Sequence, residues 1–303
     1  MRIVSLVPHA TELLFALGLG DDVVGVTHEC DYPEEATERQ SVTRNVLGGG
    51  LSPGDIDRAV RERTATSGES LYELDEESLR ELDPDLIVTQ ALCHVCAVSV
   101  DDVQALAQSL PGPPRVISLD PTTYGETLAD VRTIAQATDS RDAALDLIAR
   151  TARRADVVRL AVRGAPRPRV AALEWLDPVF VAGHWTPQLI EMAGGEDVLG
   201  FAGEPSREAT WEEVAAAQPE VVIVMPCGYD AARALVEAEE FADRLRALGA
   251  DQVVAVNASA YFSRPGPRLV DGIELLAHIL HPDRVPSAPA EALAVELEKD
   301  HRA

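Results

Sequence analysis

The chain has 303 residues, 46% hydrophobic and 25% charged, so it can bury sizeable cores; its length suits two lobes, and a disordered chain is excluded. Formal net charge is −25 and Lys299 is the only lysine, so the protein's field repels a phosphate backbone and nucleic acid is excluded as a partner. An acid excess balanced by Arg rather than Lys fits a halophilic or GC-rich source, with most carboxylates serving as solvated surface.

The first predicted strand is Arg2–Val7, followed by helical apolar spacing over Thr11–Leu19. Further strands are expected at Val23–Thr27, Asp85–Gln90 and Arg115–Asp120. Helical stretches at Glu76–Leu82 and Val100–Ser109 precede the last two, the rhythm of a helix-covered parallel sheet. From Tyr124 to Arg163 apolar residues recur at helical spacing, as one long helix or two in succession around Thr138–Ser140. The Pro-rich segment 164–169 ends it. Strands resume at Arg169–Glu174, Pro178–Ala182, Val221–Met225 and Gln252–Asn257, and the last strong helix is Leu269–Leu280. The expected fold is α/β, with two Rossmann-like lobes of parallel strands joined by a long helix: 1–122, a connector 123–165, and 166–303.

The second half repeats the first. The run from Pro8-His9 through Thr11 to Gly18 and Gly25 matches that from Gly183-His184 through Thr186 to Gly194 and Gly200. The helix–proline–strand run Glu77–Thr89, pivoting on Pro84, matches Glu212–Val224, pivoting on Pro219. Two such pairs in the same order imply pseudo-symmetric lobes.

The opening residues show no basic segment leading into a long apolar run, and no stretch approaches the ~20 residues of a membrane span. The expectation is a cytoplasmic protein, the alternative being membrane association or export by an unseen signal. In that compartment structural disulfides among Cys30, Cys93, Cys96 and Cys227 are improbable.

Ligands of open α/β lobes bind beyond the carboxyl ends of the strands. His9, His28, Cys30, Cys93, Cys96, Glu174, Trp175, His184, Trp185, Cys227, Tyr261, Phe262 and Arg264 all follow or end predicted strands, and lobes that face each other would gather them in one cleft. Cys93-His-Val-Cys96 has the spacing for two thiolates on one metal or for a redox pair. The four cysteines are thus candidate ligands for zinc, an iron–sulfur cluster or a cobalt-facing role, with inert burial as the alternative. Thr11 and Thr186 are read as N-caps of helices whose starts could meet an anionic group. Trp175, Trp185, Tyr261 and Phe262 suit a flat apolar ligand, because aromatics make up only 4% of the chain. Arg264 would meet a ligand carboxylate, amide or phosphate, or pair with Glu174. Gly48-Gly-Gly50 lacks the Lys-Ser/Thr of a phosphate loop and reads as a flexible turn. No catalytic residue is assigned, and a binding role is preferred to an enzymatic one.

The stretches Arg2–Leu13, Gly25–His28, Leu82–Val88 and Ala193–Gly195 resemble the helical-backbone class of ABC-transporter substrate-binding proteins, specifically its cobalamin-binding branch. The resemblance runs over nearly the whole chain. It implies two Rossmann-like lobes, a rigid connecting helix, and a cleft that closes on a corrinoid, haem, siderophore or metal ion destined for an ABC permease. The chain departs from it by showing no secretion signal or lipid-anchor cysteine, and by its Cys30, Cys93, Cys96 and Cys227 set. The readings are therefore a binding protein for a cobalamin-like corrinoid or other metal chelate, or a metalloprotein with a Cys-held cluster or zinc. Oligomeric state is left open.

Overall fold

The computed structural model describes residues 1–46, 72–91, 98–290 and 292–297. Cys93, Cys96, Gly48–Gly50 and Lys299 lie outside them. The chain divides into two compact units: residues 1–121 with 126–148, and residues 122–125 with 149–303.

In the first unit the elements run β1 (Ile3–Ser5), α1 (Pro8–Ala16), β2 (Val23–Val26), β3 (Gln40–Ser41), β4 (Thr43–Asn45), β5 (Tyr72–Leu74), α2 (Glu76–Leu82), β6 (Leu86–Thr89), α3 (Val100–Ser109) and β7 (Arg115–Ser118). Five strands form a parallel sheet in the order β3-β2-β1-β6-β7. Its strand order reverses between β1 and β6, the topological switch point where such sheets open a crevice. Strand residues alternate between two cores. Ile3, Leu86 and Val88 face the cluster with α1, while Val4 and Ile87 face the one with α2 and α3. Burial on both faces is why these strands read as unbroken apolar runs in the sequence. Strands β4 and β5 form a separate antiparallel ribbon.

Two helices follow, α4 (Tyr124–Thr138) and α5 (Arg141–Ala161), with Asp139 between them at φ 57. Of the two forms expected here, the succession is the one observed. The boundary between the two units falls within α5, after Ile148. The later part of α5 is fastened within the second unit: Arg154 donates to both carboxylate oxygens of Glu274, at 2.8 and 2.7 Å, and also bonds Asp271.

The second unit runs β8 (Arg169–Leu176), β9 (Val179–Val181), α6 (Thr186–Met192), β10 (Glu196–Asp197), β11 (Arg207–Glu208), α7 (Trp211–Ala216), β12 (Val221–Val224), α8 (Ala231–Glu240), α9 (Ala242–Ala247), β13 (Gln252–Val256), α10 (Ala258–Tyr261), α11 (Leu269–Leu280) and β14 (Ala292–Ala294). Its sheet is mixed rather than parallel throughout. Strands β8, β12 and β13 are parallel neighbours, whereas β9 and β14 run antiparallel to β8 and β13.

The expected repeat of helix, proline and strand is present in backbone detail. In α2–β6 and again in α7–β12, the residue before the proline takes a left-handed turn: Asp83 at φ 40 before Pro84 and Gln218 at φ 46 before Pro219. Both helices start on a side-chain cap, with Asp75 accepting from Ser78 N and Thr210 from Glu213 N. The other repeat is looser. Helix α1 opens on Pro8 with Val7 as its cap residue, which places Thr11 in the fourth position of the helix. Thr186 is the first residue of α6, and neither threonine caps its helix.

Candidate functional site

In the first unit, the segments after β1 and β2 border a shallow open recess lined by Leu6, Pro8, Thr27, His28, Glu29, Thr43, Tyr72 and Val98. His28 is exposed but oriented. Its Nδ1 lies 2.8 Å from the Thr43 hydroxyl, and its ring is 5.0 Å from that of Tyr72. Tyr72 in turn donates its hydroxyl to Glu29 Oε1 at 2.7 Å. The ribbon β4–β5 therefore brings Thr43 and Tyr72 to the end of β2. Being shallow and open, the recess can meet only one edge of a large ligand or a small group on it.

Behind the recess the polar residues turn inward. Thr11 is fully buried and donates to Ser5 Oγ at 2.8 Å, and its hydroxyl also lies 3.1 Å from Cys30 Sγ. Thr27 reaches the same sulfur from the other side, also at 3.1 Å. His9, the second residue of α1, is buried as well. Thr11 and Cys30 are thus parts of a hydroxyl–thiol network that satisfies buried polar atoms. Both side chains are turned into this network, and Cys30 is buried.

In the second unit, the carboxyl ends of β8, β12 and β13 assemble Trp175, Cys227, Tyr229 and Tyr261. Cys227 N donates to Glu174 O at 3.3 Å, and Ser259 N to Tyr229 O at 3.1 Å, which ties the three strand ends together. Trp175 and Tyr229 are tilted rings 6.4 Å apart. Arg233 lies over the Tyr229 ring, 3.6 Å from its centroid, and donates to its hydroxyl at 2.8 Å. Arg268 is 5.8 Å from the Tyr261 ring, and Arg264 is half-buried on the same turn. Glu174, Trp175, Cys227, Tyr261 and Arg264 thus lie towards one edge of one sheet.

His184, Trp185 and Phe262 do not fit the expected pattern. Because β9 runs antiparallel to β8, its end turns away from the carboxyl edge: Ala182 N bonds Ala172 O, midway along β8. His184 takes φ +52 and is held by a backbone bond from its amide to Glu204 O at 2.6 Å. Burial pushes its imidazole below the ordinary pKa. Trp185 is only 6% exposed and gives its indole N–H to Phe262 O at 2.7 Å, while Phe262 itself is 2% exposed. Trp185 and Phe262 are packed into the unit's interior.

Sequence reasoning missed Glu29, Tyr72, Tyr229 and Arg233. The same scarcity of aromatics that singled out Trp175 applies to Tyr229, two residues after Cys227, and could have found it. Nothing local marks Tyr72, which reaches the recess only because β5 pairs back on β4. Among the described residues no group of three or more His, Cys, Asp or Glu is placed to hold a metal ion, so a Cys-held cluster or zinc gains no support. Nor, among those residues, is any helix long and apolar enough to cross a membrane.

The sequence profile described as periplasmic binding protein matches residues 3–260. Vitamin B12-binding proteins of Vibrio cholerae serotype O1 and Vibrio parahaemolyticus are 25% and 26% identical over 291 and 283 residues, covering 90% of this chain and 86% of their own. Among solved structures, the periplasmic vitamin B12 binding protein BtuF of Vibrio cholerae has a TM-score of 0.64 at 22% identity, covering 92% of this chain and 96% of that one. The periplasmic heme-binding protein RhuT from Roseiflexus sp. RS-1 has a TM-score of 0.66 at 24% identity, covering 94% and 98%. These likenesses span both units and show the shared fold. They overturn the expectation of a cytoplasmic protein, since the profile and the solved relatives alike are periplasmic. The case against disulfides, which rested on a cytoplasmic setting, loses its premise with it.

Proposed function

The chain belongs to the periplasmic binding protein family, and on that premise we propose that it captures a cobalamin-like corrinoid and hands it to an ABC permease. One observation carries the reading: among the described residues, the carboxyl edge of each unit presents aromatic rings with polar tips. Trp175 and Tyr261 are half-buried on one edge, with the Arg233-backed Tyr229 beneath Trp175. His28 and Tyr72 stand on the other, oriented by Thr43 and Glu29. A large, flat chelate with polar side groups matches such surfaces. Rings supply apolar area at low conformational cost, and oriented hydrogen-bonding groups fix the pose. The vitamin B12-binding relatives, matched over 86% of their length, support the choice of a corrinoid among metal chelates.

The test is titration of purified protein with cyanocobalamin, cobinamide and hemin, followed by tryptophan quenching and calorimetry. Saturable binding of a corrinoid, weakened at least tenfold by Trp175→Ala, is the expected result. Binding of hemin alone would move the reading to porphyrins. No saturable heat or quench with any of the three would overturn it.

A further inference from the structure

Glu237, in the middle of α8, is 6% exposed, and neither of its carboxylate oxygens has a hydrogen-bond partner in the structure. The Leu176 amide, at the end of β8, is close enough to favour the charged form but makes no hydrogen bond to it, and it is the weakest of the influences on this carboxyl. Strands β12, β13 and β14, on which α8 packs, contain no titratable residue. The charged groups that act on Glu237 are Glu240 and Arg233 of its own helix, and it in turn acts on Tyr229 in the preceding loop. On α9, Asp243 and Arg246 are paired with each other.

Arg233 lies one turn before Glu237, within reach along the helix face. Its guanidinium is nonetheless spent on Tyr229, stacking on the ring and bonding the hydroxyl. An isolated buried carboxylate is strongly disfavoured, and a buried acid without partners stays protonated. Ionised, Glu237 would become the strongest nearby attraction for Arg233. The guanidinium therefore has two alternative partners, Tyr229 and Glu237, and the proton on Glu237 selects between them.

We propose that Glu237 is a proton-operated switch for the carboxyl edge of the second unit: its ionisation draws Arg233 off Tyr229 and loosens the Trp175–Tyr229 pair. Burial, reinforced by Glu240, raises the Glu237 carboxyl to about 7, which puts the switch in the neutral range. The inference rests on the corrinoid reading only for its effect on ligand affinity; the switch itself is read without ligand.

The experiment follows tryptophan emission of the ligand-free protein between pH 5.5 and 8.5, in wild type and Glu237→Gln. His184 and every other titrating group are present in both. The expected result is an emission transition with a midpoint near 7 in wild type and its loss in the variant. The same transition in both proteins, or none in wild type, would overturn the switch. Should Glu237→Gln not fold, Glu237→Leu takes its place, since it removes the charge without leaving a polar atom to satisfy. A second arm measures corrinoid affinity at pH 6 and 8.5, with a drop of at least threefold expected at the higher pH in wild type alone. Equal affinity at both pH values would overturn the coupling to the ligand edge. A protein that binds no corrinoid but keeps the emission transition refutes the functional reading and leaves the switch standing.

Discussion

Replacing Trp185 with Phe separates packing from ligand contact. Trp185 is buried at 6% exposure, and its indole N–H donates to Phe262 O at 2.7 Å. Phenylalanine cannot donate, so the carbonyl of an equally buried residue is left unpaired, which costs roughly 1–2 kcal/mol. The smaller ring also leaves part of the indole's volume empty, a further cost on the order of 1 kcal/mol. The sum is about 2–3 kcal/mol. For a domain of this size each kcal/mol is worth about 2–4 °C, so the thermal midpoint should fall by roughly 5–10 °C. Corrinoid affinity, measured well below that midpoint, should stay within about threefold of wild type, since Trp185 and Phe262 are packed into the unit's interior. The paired control is Trp175→Ala, which should move the midpoint less and the affinity more. Thermal scanning with calorimetric titration of both variants checks the pattern. A Trp185→Phe protein that keeps its midpoint but loses affinity would refute the packing assignment and return Trp185 to the ligand.

Gly183→Ala should be severely destabilising, by about 3 kcal/mol, because the added Cβ would sit 2.5 Å from the backbone at Glu204, Pro205 and Ser206. Gly112→Ala, which meets only open space, should change the urea midpoint by less than the scatter of surface variants. Asp130 sets a pH slope in the first unit. Burial, with Asp120 and Glu126 adding to it, raises its carboxyl to about 7. The folded chain therefore holds a proton that the unfolded chain has already lost, and stability should fall as pH rises from about 4 to 7. Asp130→Asn should flatten that slope in thermal scans, and an unchanged slope would count against the assignment. Finally, at a net charge of −25, self-repulsion should relax as the Debye length falls from about 10 Å at 0.1 M salt to about 3 Å at 1 M. The thermal midpoint should then rise with sodium chloride, and a flat or falling curve would refute this.

The fold was largely legible because its central strands are buried on both faces. Arg2–Val7, Val23–Thr27, Asp85–Gln90 and Val221–Met225 were each found within two residues of their observed ends, as Ile3–Ser5, Val23–Val26, Leu86–Thr89 and Val221–Val224. A run such as Val221-Val-Ile-Val224 announces itself by composition. Helices α2, α3 and α11 match their expected bounds, since an acidic start and a 3.6-residue period are local properties. Strand direction is not local. Nothing in Val179-Phe-Val181 says that it runs back along β8, and that reversal is what removes His184 and Trp185 from the edge where strand order alone would place them. Strands of two residues, such as β10 and β11, are too short to carry a period. The paired threonines misled for a related reason. Thr11 and Thr186 occupy matching places in a repeat, but Pro8 starts α1 earlier and carries Thr11 into the helix interior.

The two carboxyl edges now differ in a way that their sequence repeat conceals. Each unit has a switch point at the same place in its topology, between β1 and β6 and between β8 and β12. Pseudo-symmetry therefore places the ends of equivalent strands, but the chemistry at those ends has diverged. In the first unit the edge is polar and supported from the side, with His28 and Tyr72 positioned by Thr43 and Glu29 through the β4–β5 ribbon. In the second it is aromatic and supported from beneath, with Trp175 over Tyr229 and Arg233 stacked against the latter. Each edge, taken by itself, suits a different part of the proposed ligand: oriented polar groups suit polar side groups, and half-buried rings suit apolar area. Exchanging the roles by Tyr72→Phe on one side and Trp175→Ala on the other should thus give different signatures with a set of corrinoids. The first should blunt discrimination between corrinoids that differ in their polar side groups, and the second should weaken all of them alike. Equal losses across the series from both variants would mean that the two edges do the same work, and the division argued here would fail.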